Sequence, residues 1–300
     1  MKKNKIISEV ICILMVLTLL CGCQDSKKYP TECKESPSQT EEQVLWPSYE
    51  QTDVLSDGNL ALVDFTHKDD GYIYARLLQE VIGIKLQIQK DDKKYNYDLK
   101  TTGFTTFPVN MENGTYTIKI LQQIEGTRYA ICASTSMEVN LTNDLAPYLY
   151  PNQIVNYTND SYVYKKSFEL VKEDRDDLTR IAHLFKYVVD TLDYDQKAKD
   201  VSETFVLPDI DGSLKSHKGI CFDYAASLAA LCRIQGFPAK VIVGWTDIEY
   251  HAWVEIYLKD KGWINPKIYF KKEKWNLVDP TFSDSKNSDY EGKYDEVYHY

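Results

Sequence analysis

The stretch from Lys218 to Phe282 constrains this chain more than any other, because three polar residues in it stand at the ends of apolar segments. It reads KGICFDYAASLAALCRIQGFPAKVIVGW, then YHAWVEIYL, then WNLVDPTF. Cys221 opens a predicted helix: Gly219 precedes it, and Ala225, Leu228, Ala229, Leu231 and Cys232 follow at helical spacing. Gly236 with Pro238 predicts where that helix ends. A cysteine in the first helical turn meets the positive end of the helix dipole, which favours thiolate over thiol. That is a nucleophile's position.

His251 starts an alternating run. His251, Trp253, Glu255 and Tyr257 fall on one face of a strand, and Ala252, Val254, Ile256 and Leu258 on the other. Asp279 closes a second strand-like run, Trp275 to Val278, before Pro280 stops it. Antiparallel pairing of the two runs would set His251 beside Asp279, the carboxylate orienting the imidazole and the imidazole facing the thiol. Nucleophile, base and orienting acid in the order Cys221, His251, Asp279 follow the triad logic of acyl transfer.

The motifs GICFDYAASLAALCRIQGFPA, YHAWVEIYL and VDPTF, in this order, resemble the core of the transglutaminase-like superfamily, whose papain-like sites share the chain order Cys, His, Asp. The resemblance implies a catalytic triad of Cys221, His251 and Asp279 acting on peptide or glutamine amides through a Cys thioester. Hydrolysis by a cysteine peptidase or amidase is slightly favoured, since water needs no second substrate site. A protein cross-linking transglutaminase and a non-catalytic surface binding module on the same fold are the alternatives. Asp223, Tyr224, Trp253 and Glu255 read as supporting residues, and the Cys221 backbone N–H as one oxyanion donor. A second donor has to come from upstream, where Tyr194 is one of several possible groups. GWINPKIYFKKEK lies between the two strand-like runs; Pro266 argues against a regular strand there, and it reads as an excursion.

The chain begins MKKNKIISEVICILMVLTLLCGC, lysines leading into an apolar run of signal-peptide length. Leu20-Cys21-Gly22-Cys23 resembles a bacterial lipobox, which implies a signal peptide over 1–22, lipidation at Cys23 and an extracytoplasmic, membrane-anchored protein. Residues 23–58 are polar, apart from Leu45-Trp46, and read as a tether. From 59 to 144 the period becomes two: ALVDF, YIYARL, IKLQIQK, KYNYDL, FTTFPV, TYTIKIL, RYAICA and MEVNL are short alternating runs broken by turn-prone pieces, which predicts an all-β sandwich-like domain. Residues 145–300 then make an α+β catalytic domain.

Within 145–300, Tyr164, Phe168 and Val171 predict one amphipathic helix; Leu178, Ile181, Phe185, Val188 and Leu192 predict another, led by Asp176-Asp177. Asp193-Tyr194-Asp195 resembles an acidic-aromatic segment found before the nucleophile in this superfamily, and reads equally well as a plain helix exit. LPDIDGSLKSH, Leu207 to His217, reads as a loop. Cys232 is some 16 Å along the helix from Cys221 at ~1.5 Å per residue, too far for a disulfide, and reads as core. His67, His183 and Cys132 read as structural.

The formal net charge of −10 and the lack of a basic stripe argue against a nucleic-acid partner. The five histidines show no paired spacing, so neither metal nor other cofactor is expected. The expected partners are a protein or peptide substrate and the membrane, through the lipid. Nothing in the sequence sets an oligomeric state.

Overall fold

The computed structural model of the chain describes residues 35–195, 197–198, 206–247, 250–265 and 293–300. The expected leader 1–22, Cys23, and the run from Trp275 to Asp279 lie outside the described residues. The fold is α+β.

Eight antiparallel strands make two four-stranded sheets. β1 (Val54–Ser56), β2 (Ala61–Asp64), β3 (Tyr72–Leu77) and β6 (Thr105–Pro108) form one sheet in that order. The other runs β5 (Lys93–Asp98), β4 (Ile84–Lys90), β7 (Gly114–Glu125), β8 (Arg128–Val139). Alternation sets the inner faces: Ile84, Leu86 and Ile88 of β4 are buried, as are Tyr116, Ile118 and Ile120 of β7, each worth about 1.5–3 kcal/mol on full burial. The runs RYAICA and MEVNL are one strand, not two. Ser134 and Ser136 between them pair with Lys119 and Thr117 of the long β7, so the ladder continues through the polar residues.

Helices α1 (Tyr162–Val171) and α2 (Asp177–Thr191) lie where the periodicity predicts them. Asp176 caps α2, its carboxylate accepting from the Thr179 N–H at 2.8 Å. The expected loop 207–217 is instead largely a helix, α3 (Ile210–Ser216). Asp209 caps it by accepting from the Gly212 N–H at 3.0 Å, and Ile210 and Leu214, one turn apart, are buried. α4 (Cys221–Ile234) is buried along its whole length, with α1, α2 and α3 packed against it.

α4 ends as expected. The Phe237 N–H donates to the Cys232 carbonyl and the Gly236 N–H to that of Arg233, with Gly236 at φ 77°, a left-handed turn that suits glycine. The chain then enters a third antiparallel sheet, ordered β13 (Gly262–Ile264), β12 (Tyr250–Leu258), β11 (Ala239–Thr246), β14 (Tyr294–His299). The expected excursion after β12 is therefore a hairpin at its start: Ile264 pairs with Ile256 and Trp263 with Tyr257. Among the described residues, β13 pairs with β12 only as far as Ile256.

The segment from residue 35 to 58, expected as part of a polar tether, is a strap seated on the fold. The Ser36 N–H donates to the Arg175 carbonyl, and Arg180 donates to both the hydroxyl and the carbonyl of Ser36. Val44 is buried, Trp46 packs against Tyr157 and Tyr164, and β1 pairs with β2. Farther along, the Ser48 hydroxyl lies 3.1 Å from His67 Nε2, and His67 Nδ1 lies 2.9 Å from Asp70. This chain of contacts has the residue types of a hydrolytic triad. The Ser48 N–H, however, is donated to the Tyr72 hydroxyl, which removes it as an oxyanion donor, and the set serves to pin the strap.

Glu35–Tyr300 fall in one compact unit, and one apolar core runs from the sandwich into the helices and the third sheet. Tyr95 of β5 joins the sandwich to Tyr298 and Tyr300 through edge-on ring contacts of 5.1 and 5.6 Å. No helix among the described residues is long and apolar enough to cross a membrane.

Candidate active site

Cys221 is the first residue of α4 and is 4% exposed. Its strand-like approach is fixed from the side: β9 (Asp193–Tyr194) pairs in parallel with β10 (Lys218–Gly219), and the Asp195 N–H donates to the Gly219 carbonyl at 2.9 Å. The Asp193-Tyr194-Asp195 segment thus lies directly beside the two residues that lead into the nucleophile helix. The helix ends at Thr191, and the two-residue strand follows after Leu192.

The first turn of α4 is held by two of the expected supporting residues. The Asp223 carboxylate accepts from the Ile220 N–H at 2.9 Å and from the Asp209 N–H at 3.2 Å, capping the helix and tying it to the start of α3. Burial pushes the Asp223 carboxyl above its usual range, and these N–H donors oppose that shift. The Tyr224 hydroxyl donates to the Leu192 carbonyl at 2.6 Å, fixing the exit of α2 against α4.

His251 is the second residue of β12 and is 1% exposed. Gly244 of β11 pairs with it, at a register shift between β11 and β14. A Cβ at Gly244 would run into the Asp295 backbone carbonyl, so glycine lets β14 approach there. The expected division of β12 into an apolar and a polar-aromatic face holds by residue type, but both faces are covered. Trp253 is as buried as Val254, and Tyr294 packs on it with ring centroids 5.0 Å apart. Glu255 pairs in register with Lys240, whose ammonium sits 3.9 Å from the Trp263 ring centroid. Burial raises the Glu255 carboxyl, and Lys240 opposes it.

Packing joins the two elements. α4 packs across β11 and β12. Arg233 near the end of α4 donates to the carbonyl of Ala239, which begins β11. About 18 Å of helix separates Cys221 from Arg233 at ~1.5 Å per residue. About 17 Å of strand at ~3.3 Å per residue separates Ala239 from Gly244, the partner of His251. On these lengths, a β11 that runs back along α4 would bring Gly244, and with it His251, to the level of Cys221. Asp279, the third expected residue, lies outside the described residues.

The other four histidines have structural partners. His217, in a left-handed conformation at the end of α3, donates from Nδ1 to the Thr191 carbonyl at 3.0 Å. His183 contacts Asp174 at 2.9 Å. Cys232 is fully buried in α4, and burial pushes its thiol far up. The sequence reading does not single out Asp209, which links the caps of α3 and α4. Its signal is the Asp-x-x-Gly spacing before an apolar pair.

A family model described as the transglutaminase-like superfamily matches residues 164–280. No curated protein matches the chain. Among solved structures, the chain is similar to a candidate cysteine protease from Cytophaga hutchinsonii at 12% identity, covering 77% of this chain and 86% of that one, with a TM-score of 0.36. It is similar to the periplasmic domain of TgpA from Pseudomonas aeruginosa at 12% identity, covering 78% and 97%, with a TM-score of 0.33. Red sea bream transglutaminase is similar at 13% identity over 65% of this chain and 48% of that one, with a TM-score of 0.28. The helix opened by Cys221 and the strand that carries His251 thus fall within residues 164–280, which are a transglutaminase-like superfamily domain.

Proposed function

We propose that this protein is a membrane-anchored, extracytoplasmic thiol acyl-transfer enzyme that hydrolyses peptide or glutamine amides through a thioester on Cys221. The observation that carries the reading is a buried cysteine at the N-terminus of a buried helix that packs across the strand carrying a buried histidine. A lipid anchor at Cys23 rests on the Leu20-Cys21-Gly22-Cys23 ending of the apolar leader.

In this mechanism His251 takes the proton from Cys221, and the thiolate forms a carbon–sulfur bond to the amide carbonyl. The Cys221 N–H, at the positive end of α4, stabilises the oxyanion of the tetrahedral intermediate. The carbon–nitrogen bond breaks as the protonated His251 delivers its proton to the leaving amine. Water then attacks the thioester, giving its proton to His251; the carbon–sulfur bond breaks, a carboxylic acid leaves, and the thiol regains the proton. Asp279 orients the imidazole throughout.

Trapping the acyl-enzyme on a peptide library, then offering water with and without a dansylated primary amine, tests the reading. A library peptide cleaved or deamidated at the same rate with or without the amine supports hydrolysis. Amine incorporation as the dominant product would make the enzyme a cross-linking transglutaminase. No acylation of Cys221 by any peptide would leave a binding module.

A further inference from the structure

Away from Cys221, the strap, the loop before β6 and the loop between residues 151 and 159 enclose a groove of about 600 Å³. Its walls combine two kinds of side chain. Trp46 and Tyr49 of the strap are 37% and 51% exposed, and Phe104 lies beside Tyr49 with ring centroids 4.9 Å apart. Asn152, Asn156 and Asn159, with four threonines and Gln153, supply neutral amides and hydroxyls; Lys100 is the one charged side chain among the described lining residues.

Asn152 carries the strongest sign of a missing ligand. It is 4% exposed, and its Oδ1 accepts from the N–H groups of Ile154 and Val155 at 2.9 Å. That leaves Nδ2 buried with no hydrogen-bond partner. An unmet buried donor is costly, and an acceptor carried by a ligand would satisfy it by drawing this loop slightly open. The aromatic rings are already held: Trp46 is braced by Tyr157 and Tyr164, and Tyr49 by Tyr74 at 4.2 Å. Stacking on them therefore sacrifices little side-chain freedom.

From this we infer that the groove is a binding site for a neutral oligosaccharide. A sugar ring offers an apolar C–H face to an aromatic ring and a rim of hydroxyls to amides and hydroxyls, which is the pairing these walls present. A charged ligand would find only Lys100. A peptide adding a strand to β6 is disfavoured because the Thr106 carbonyl on that edge already accepts from the Gln153 N–H at 3.0 Å. The enzyme would thereby be held on a glycan-bearing surface independently of its reacting thiol.

The test is calorimetric titration of the full-length protein with cellotetraose, maltotetraose and tetra-N-acetylchitotetraose. At least one should saturate with a Kd between about 10 µM and 1 mM. Asn152→Asp keeps the Oδ1 acceptor and removes the Nδ2 donor, and should weaken binding about tenfold, the scale of one ligand hydrogen bond. Tyr49→Ser, at a half-exposed position, should weaken it similarly while the protein still unfolds cooperatively, so a folding defect in the first variant leaves the second decisive. Saturation by none of the three sugars, or binding indifferent to these substitutions, overturns the inference. So does tight binding of acetylated hexaproline amide, weakened by Tyr49→Ser, in place of any sugar.

Discussion

The guanidinium of Arg233, 1% exposed, donates to the Tyr300 carbonyl at 2.8 Å, while its other donors reach the carbonyls of Ala239 and Tyr150. One side chain at the end of the nucleophile helix thus binds backbone from β11, from the segment after β14 and from the loop that follows the sandwich. Desolvation lowers its pKa to about 10, so it remains a cation that is solvated by carbonyl dipoles rather than paired with a carboxylate. Arg233→Met leaves those carbonyls without donors and should destabilise the fold by about 3 kcal/mol or more. Arg233→Lys should recover only part of this, because an ammonium cannot span the same fork. Urea unfolding of the two variants measures both.

Glu296 makes the protein sensitive to acid at the junction between the sandwich and the third sheet. His299 hydrogen-bonds its carboxylate at 2.5 Å and Lys93 lies 3.4 Å away, while the other His299 ring nitrogen donates to the Asn110 carbonyl at 2.9 Å. The His299 hydrogen bond, opposed by burial, holds the carboxyl down at about 2. A depressed folded value means that the stabilisation is complete above the ordinary glutamate value of about 4.3 and is lost as the pH falls toward 2. Glu296→Gln should lower stability at neutral pH by on the order of 1 kcal/mol or less, since the group is partly exposed, and the two proteins should converge at about pH 2. Equal pH profiles for both proteins would remove this ion pair from the account of acid stability.

The lipidation proposal predicts a change in partitioning. Cys23→Ala blocks attachment of the lipid, so the variant should leave the detergent phase or remain as an unprocessed precursor. Mass measurement of the mature N-terminus separates the two. Wild-type protein that begins upstream of Cys23 and carries no lipid would exclude the anchor.

How much of this was legible before the structure depended on how local the cause was. α4 is announced by its own residues, from Cys221 to the Gly236 turn, because helix periodicity and capping act within a few residues. The strands of the sandwich show in their alternation for the same reason. α3 is hidden because Asp211-Gly212 has turn chemistry, and it is the Asp209 cap and the burial of Ile210 and Leu214 that decide in favour of helix. The strap is hidden more deeply. Ser36 is anchored by Arg180, far along the chain, and nothing in residues 35–58 alone encodes that partner. For the site, residue order and flanking pattern point to Cys221 and His251; the packing of α4 on the strand that carries His251 depends on the β11–β12 register and the Arg233 closure, which are long-range.

Cys221, His251 and Asp279 should behave as one unit if the proposed chemistry holds. Cys221 begins a helix, whereas Cys232 is sealed near the far end of the same helix with its thiol pushed far up by burial. In the native protein at mildly acidic pH, where an ordinary thiol is mostly protonated, iodoacetamide should therefore label Cys221 faster than Cys132 and leave Cys232 unlabelled. His251→Ala should remove both turnover and this low-pH reactivity, because it deletes the base. Cys221→Ser should abolish turnover with the Tm unchanged, because a hydroxyl is far harder to ionise than a thiol. Asp279→Asn should retain much of the alkylation but cost turnover on the order of a hundredfold or more, through loss of imidazole orientation. Peptide mapping of the labelled protein, read against kcat/KM for each variant, supplies the comparison. Alkylation of Cys221 that is indifferent to His251, with the pH dependence of a free thiol, would sink the enzyme reading.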